Sequence, residues 1–414
     1  RNMPPEPSVR PWMLLFYSDQ KENMTPQEFW TDYSKDLFKR MKPRMKVKGD
    51  VKKLAAQLTS QAATPREKLQ RIFEYCRAEI QSIYDDAVQL SEKDRKKGQQ
   101  NNSPSDTIKR GFGTYQDIDF LFAALANASG FDARYALMGD RSDFFFTPQI
   151  TDAYFLTNWA IAVNEGEQWS FHSPASRHLP FGMLRWQEEA QQALILDPDQ
   201  PLFAETPLAE AESSLQKRTA QLQLDREGTL QGRCRIEYTG HQAAVQEMVQ
   251  KWFNNAEVSE VQIENLEDPS KPLIYSWQVR VPSYAQGTAK RLFLQPAFFQ
   301  TGTEPRFTSS QRRHRIYFNY RWSEEDDVTI DLPQGMILEG AGSPPPFSPQ
   351  KVAHYSAQVA VGKDGRQLIY QRRFAFRGLL FTPSSYSGLK QIFDDVHQRD
   401  THTIILKRQA EGGH

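Results

Sequence analysis

The chain has 414 residues, 39% of them hydrophobic and 12% aromatic, which excludes a disordered polypeptide and allows two or three domains with cores of their own. Its 51 basic residues balance 51 acidic ones, so no net field draws it to nucleic acid or to an anionic membrane. No apolar run approaches the ~18–20 residues that a membrane span needs, and two cysteines, Cys76 and Cys234, are too few for a disulfide framework and leave the redox compartment open.

The opening Arg1-Asn2-Met3-Pro4-Pro5 has neither an initiator methionine nor a signal peptide. Residues 1–20 read as a linker from a preceding domain, with a strand over 12–17. Thr25-Pro26-Gln27-Glu28 is a capping-box signal with proline at the first helical position, so a helix should run to about Met41. Six basic residues follow between Lys42 and Lys53; they read as a solvated helix flank, with a nucleic-acid or lipid patch as the sharper alternative. Thr64-Pro65-Arg66-Glu67 opens a second helix, on which Leu69, Ile72, Phe73, Cys76, Ile80 and Ile83 share an apolar face. Cys76 is thereby expected to be inert packing.

A polar loop over 91–106 should lead into Gly111-Phe112-Gly113-Thr114-Tyr115-Gln116-Asp117 and a helix whose Ile118, Leu121, Phe122 and Leu125 share a face, ending near Gly130. Alternation at Ala133, Tyr135 and Leu137, then over 155–163, then at Trp169, Phe171 and Ser173 predicts strands. Beyond Asp197-Pro198-Asp199, strand-like runs dominate, interrupted by helices near 242–253 and 386–397, which suggests β-sandwich material. The predicted division is a linker at 1–20, an α+β core at 21–205 and a β-rich region at 206–414.

A papain-like thiol enzyme needs a cysteine at a helix N-terminus, a histidine on a neighbouring strand and an Asp or Asn on the next to orient it. The order of glycine turn, helix, strand and strand fits that scaffold. Gly111-Phe112-Gly113-Thr114-Tyr115-Gln116-Asp117, Asn158-Trp159-Ala160 and His172-Ser173-Pro174 resemble, in order, the Gly-x-Gly-Asp-Cys-Lys-Asp, Asn-His-Val and Leu-Asp-Pro motifs of bacterial transglutaminase-like proteins with β-sandwich flanks of unknown function. The stretches 64–83, 312–335 and 386–406 look like further parts of that family. The resemblance implies a papain/transglutaminase-like core followed by a β-sandwich-like C-terminal region. It puts Tyr115, Trp159 and Ser173 at the cysteine, histidine and aspartate positions. A phenol with a pKa near ~10, an indole that accepts no proton and an uncharged hydroxyl cannot relay a proton as that triad does.

The resemblance therefore implies a pseudoenzyme with a binding or structural role, no cofactor, and a place in the periplasm or at the cell surface. Its partner would be a protein, peptide or glycan, held in a groove formed by Thr114, Tyr115, Phe144, Phe145, Phe146, Trp159 and His172. The alternative is an active acyl-transferase or peptidase with displaced groups, such as Thr114 as nucleophile and His172 as base. Strand alternation is expected to turn His172 away from Ser173. The pairs His172/His178 and His397/His402 lack further ligands at metal spacing and read as surface or packing residues.

Overall fold

Most helices in the N-terminal half begin where a hydroxyl side chain can satisfy amides that have no helical acceptor. The computed structural model describes residues 2–13, 24–85, 90–177, 179–243, 256–266, 271–288, 290–340 and 342–408. Thr25 closes a full capping box with Glu28 at the start of α1 (Pro26–Met41). Helix α2 (Gly49–Thr59) follows, and Thr64 caps α3 (Pro65–Glu79). The loop expected over 91–106 holds two short helices instead, α4 (Glu92–Gly98) and α5 (Pro104–Arg110). Their Ser-x-x-Asp starts are the reason: Ser91 and Ser103 accept from the amides of Asp94 and Asp106, a signal masked by the uniformly polar composition around it. Helix α6 (Tyr115–Ala128) starts at Thr114. Most of the strand expected over 12–17, most of the helix expected over 242–253, and His178 lie outside the described residues.

The chain divides into two compact units, residues 4–208 and residues 209–414 with 1–3. In the first, the two-residue strands β1 (Gln81–Ser82) and β2 (Phe112–Gly113) pair in parallel. A five-stranded antiparallel sheet has the order β5-β4-β3-β6-β7, from β3 (Asp132–Met138), β4 (Asn158–Asn164), β5 (Trp169–His172), β6 (Gln192–Ile195) and β7 (Leu202–Glu205). Helix α6 is apolar almost all round and lies in the centre of the core. Leu69, Ile72, Phe73 and Cys76 of α3, Leu121, Phe122 and Leu125 of α6, and Ile161 and Val163 of β4 belong to one buried cluster.

The second unit is built on many-stranded sheets. Its strands are β8 (Leu215–Leu224), β9 (Leu230–Tyr238), β10 (Glu257–Glu264), β11 (Leu273–Val281), β12 (Gln286–Gly287), β13 (Arg291–Leu294) and β14 (Ile316–Tyr317). They continue with β15 (Trp322–Asp331), β16 (Met336–Gly340), β17 (Ala353–Val361), β18 (Gln367–Phe376), β19 (Leu380–Phe381) and β20 (Ile404–Arg408). A seven-stranded sheet runs β10-β11-β9-β8-β15-β18-β17, with β8 and β15 parallel, and a four-stranded sheet runs β12-β13-β20-β16. Helix α7 (Tyr386–Asp400) contributes Leu389, Phe393 and Val396 to the same core as Leu294, Ile330 and Phe376.

That core also contains charge. Arg372 donates to both oxygens of Asp400 (2.7 and 2.9 Å) and to Glu324 (2.8 Å). Arg218 bonds Asp326 and Glu324, and the Tyr355 hydroxyl donates to Asp400 (2.9 Å). Removing one member strands a buried opposite charge. Arg372→Met is expected to destabilise this unit by about 3–5 kcal/mol in urea denaturation; a loss under about 1 kcal/mol, the range of an exposed pair, would show the network to be energetically idle.

Candidate functional site

The glycine turn before α6 is a backbone device. Gly111 ends α5 at φ +72°, where a side chain is strained. A Cβ on Gly113 would lie 2.8 Å from both Asn101 Nδ2 and Asp117 Cβ, so the chain passes there only as glycine. The Thr114 hydroxyl accepts from the Asp117 amide at 3.1 Å, while Asp117 Oδ2 accepts from the Thr114 amide at 2.9 Å. Asp117 Oδ1 also takes Arg44 at 2.9 Å. These bonds fix the first turn of α6 and occupy Thr114 and Asp117 in doing so.

Tyr115, Asp119 and Phe122 then fall on one stripe of α6, at i, i+4 and i+7. Tyr115 stands at the solvent end, 39% exposed, its ring 5.4 Å from that of Tyr84, itself 52% exposed. One turn further in, Asp119 is fully buried. Its Oδ2 accepts from Trp159 Nε1 at 3.0 Å and from the Ser173 hydroxyl at 3.2 Å, and its Oδ1 from the Ala175 amide at 3.2 Å. Two of the three motif positions, on β4 and just after β5, thus meet on a carboxylate supplied by the helix. Burial pushes the Asp119 carboxyl up to about 7, against the hydrogen bonds from Ala175, Trp159 and Ser173, and the nearby charge of Glu188 pushes the same way as burial.

A second polar set lies beside it. Asn158 Nδ2 donates to Gly139 O at 3.3 Å, and its Oδ1 accepts from Arg185 at 3.1 Å. Arg185 Nε donates to buried Glu188 at 2.9 Å. Burial pushes the Glu188 carboxyl up, against the attraction of Arg185.

His172 is opposite Ile161 in the β4–β5 pairing and so points at the helices, not away from them. Its ring is stacked on Phe181 at 4.8 Å and lies 5.3 Å from Phe122. Ser173 reaches the same helix because it follows the last residue of β5, where alternation no longer holds. This corrects the expectation that the two diverge. Nε2 of His172 meets the Ser170 hydroxyl at 2.9 Å, and Nδ1 has no partner. Burial, then the charge of Arg66, holds the imidazole down to about 3, so it stays neutral. Cys76 is fully buried on α3, and burial followed by the charge of Asp119 pushes its thiol well above the usual range.

Of the groove candidates, Trp159 reaches Asp119 and His172 packs on Phe122. Phe144 stacks on Phe155 at 4.4 Å and meets Trp12 edge-on, whereas Phe146 is buried against Trp30. Phe145 is half-buried. Among the described residues no ring contact joins Tyr115 to Trp159, or either of them to Phe144 or Phe146. Sequence reasoning missed Asp119, Arg185 and Glu188. Asp119 had a signal: an acid inside the apolar run 118–126, at i+4 from the motif position. Among the described residues no group of three or more His, Cys, Asp or Glu side chains is placed to hold a metal ion, and no helix is long and apolar enough to cross a membrane.

A carboxyl that titrates near 7 when folded and near ~3.9 when unfolded holds a proton in the folded state that the unfolded chain has released between those values. Stability therefore falls as pH rises from about 4 to about 7, and the loss persists above that. Asp119→Asn does not titrate, so relative to the parent it should gain about 2–3 kcal/mol between pH 5 and pH 8. Urea denaturation of both proteins at the two pH values measures this, and a difference independent of pH would contradict the assigned ionisation.

Residues 52–173 match the transglutaminase-like superfamily, and residues 290–406 match a domain of unknown function with a solved structure, DUF3858. None of the curated proteins matches the chain. A crystal structure of "a putative protease" from Parabacteroides distasonis ATCC 8503 is similar over 91% of this chain and 58% of its own, with a TM-score of 0.50 and 12% identity. That likeness is one of fold, and the chain spans little more than half the length of that neighbour. The chain carries a transglutaminase-like superfamily domain at residues 52–173 and a DUF3858 domain at residues 290–406.

Proposed function

We propose that this is a non-catalytic transglutaminase-like protein with a binding or structural role. The observation that carries the reading is the convergence of Trp159 and Ser173 on Asp119. An indole N–H and a hydroxyl donate to a carboxylate where proton relay would need an imidazole between a thiol and an acid. The thiols of the sequence do not replace the missing nucleophile, because Cys76 and Cys234 are both buried and burial raises both. Thr114 is committed to its cap, and His172 is neutral and enclosed by phenyl rings. What remains accessible at the motif is the Tyr84–Tyr115 pair, a surface suited to a protein, peptide or glycan rather than to acyl transfer. A location in the cell envelope follows the family resemblance alone, and fractionation of the producing cell tests it.

The description of the structural neighbour as a protease supplies the competing reading, in which displaced groups cleave or transfer an acyl group. The parent protein is expected neither to incorporate a fluorescent amine into a glutamine peptide nor to cleave a casein substrate. Turnover in either assay that disappears in Tyr115→Ala would defeat the non-catalytic reading. The exposed N1 position gives an independent check of the site's register. In Tyr115→Cys, iodoacetamide should label the new thiol, whose pKa the helix terminus lowers. Cys76 and Cys234 should stay unlabelled until the chain is unfolded, and the reverse pattern would mean the motif is misplaced.

A further inference from the structure

The basic stretch after α1 is not absorbed by the motif, and it borders a cavity. Residues Lys42–Met45 form a 3-10 turn, and the chain from there to Val47 forms one wall of a cavity of about 780 Å³, in the size range of small-molecule sites. The lining is largely apolar: Phe38, Met45, Val47 and Tyr135 contribute to it, with Pro198 on the opposite side. Tyr135 is held there by Gln116, whose amide donates to its hydroxyl at 3.0 Å, and by the Phe120 ring at 5.3 Å.

Charge is unequally spent around this cavity. On the far wall, Arg134 binds Asp132 (2.8 Å) and Asp197, with its guanidinium 5.4 Å from the Trp169 ring. Arg44 turns inward to Asp117. Lys42 and Lys46 are left: both are exposed, both line the cavity, and among the described residues neither has a carboxylate partner. The Lys42 ammonium sits 5.5 Å from the centre of the Phe38 ring, which holds the exposed charge beside the apolar lining. The remaining acid of the lining is the exposed Asp199. Over the whole lining the three cations balance the three acids, but Arg134 holds Asp132 and Asp197, so the cations without a carboxylate partner are the two lysines, next to an apolar hollow.

We propose that this cavity binds a small amphiphile whose anionic head, a carboxylate or a phosphate monoester, meets Lys42 and Lys46 while its aliphatic or aromatic body lies against Phe38, Met45, Val47 and Tyr135. The site is separate from the Tyr115–Asp119 motif and does not depend on the non-catalytic reading. No covalent step is involved.

Titration calorimetry on the full chain, with each probe below its micelle concentration, tests the proposal. Decanoate and decyl phosphate are expected to bind at one saturable site, and the tighter of the two identifies the head. Decyltrimethylammonium carries the same body with the opposite charge and should not bind, while inorganic phosphate, lacking a body, should bind at least about tenfold more weakly. Affinity should fall with added salt. Lys42→Ala/Lys46→Ala should weaken binding by about tenfold, and Lys42→Glu/Lys46→Glu should abolish it. Both variants should melt with the parent, because the two side chains are exposed and unpaired. The proposal is overturned if neither anionic probe saturates a site, if the cationic probe binds as well as they do, or if the lysine variants bind like the parent.

Discussion

Asp119 holds the helical unit to its sheet. One carboxylate receives the indole of Trp159 from β4, the hydroxyl of Ser173 from the turn after β5 and the amide of Ala175 just beyond. A hydrogen bond to a charged acceptor contributes roughly 1.5–3 kcal/mol, while burying a carboxylate costs several kcal/mol. Three donors of which none is a cation therefore offset only part of that cost, and burial leaves the carboxyl pushed up to about 7. Without this acceptor, the half-buried Trp159 indole and the buried Ser173 hydroxyl would lose their bonds to α6.

The motif residues fall into two physical kinds. Gly111, Gly113, Asp117 and Asn158, which keep the transglutaminase-like pattern, do backbone work: a positive φ, a close approach, a helix cap and a hydrogen bond to Gly139. Tyr115, Trp159 and Ser173, which depart from it, stand at the positions where the resemblance expects cysteine, histidine and aspartate. Two of them are drawn into the Asp119 cluster and the third is left at the surface against Tyr84. The glycine turn and the cap that begin α6 are backbone devices, and their hydrogen bonds do not depend on which side chain follows Thr114.

Much of this was legible in the residues, and the exceptions have physical causes. Thr25 and Thr64 announced α1 and α3 because a cap is a local interaction within four residues. The same logic written as Ser-x-x-Asp at Ser91 and Ser103 was hidden by a segment with little apolar periodicity, since α4 and α5 bury little of themselves. Burial of Cys76 followed from helix periodicity. The orientation of Ser173 relative to His172 did not follow from strand periodicity, because that rule stops at the strand's last residue, His172. The partners of Trp159 were invisible for a different reason. They depend on a side chain 40 positions away, and no local pattern says which donor an acid in the middle of an apolar helix will find. The scattering of Phe144 and Phe146 to Phe155, Trp12 and Trp30 is likewise decided by tertiary packing rather than by the aromatic run itself.

Two buried carboxyls, Glu324 of the second unit and Asp119 of the first, are handled in opposite ways. In the second unit, Arg218 and Arg372 meet Glu324, Asp326 and Asp400. Burial there disfavours ionised Glu324, yet Arg372 and Arg218 outweigh it and hold the carboxyl down to about 2. A carboxyl held that low contributes stability that is complete above its unfolded value near ~4.3 and is lost only as pH falls toward 2. Asp119, with neutral donors alone, loses its proton near neutrality. Between pH 5 and pH 8 the charge state of Glu324 therefore stays constant while that of Asp119 changes. The group that changes is the one to which Trp159 and Ser173 are bound, so a shift in proton concentration acts on the contact between α6 and its sheet.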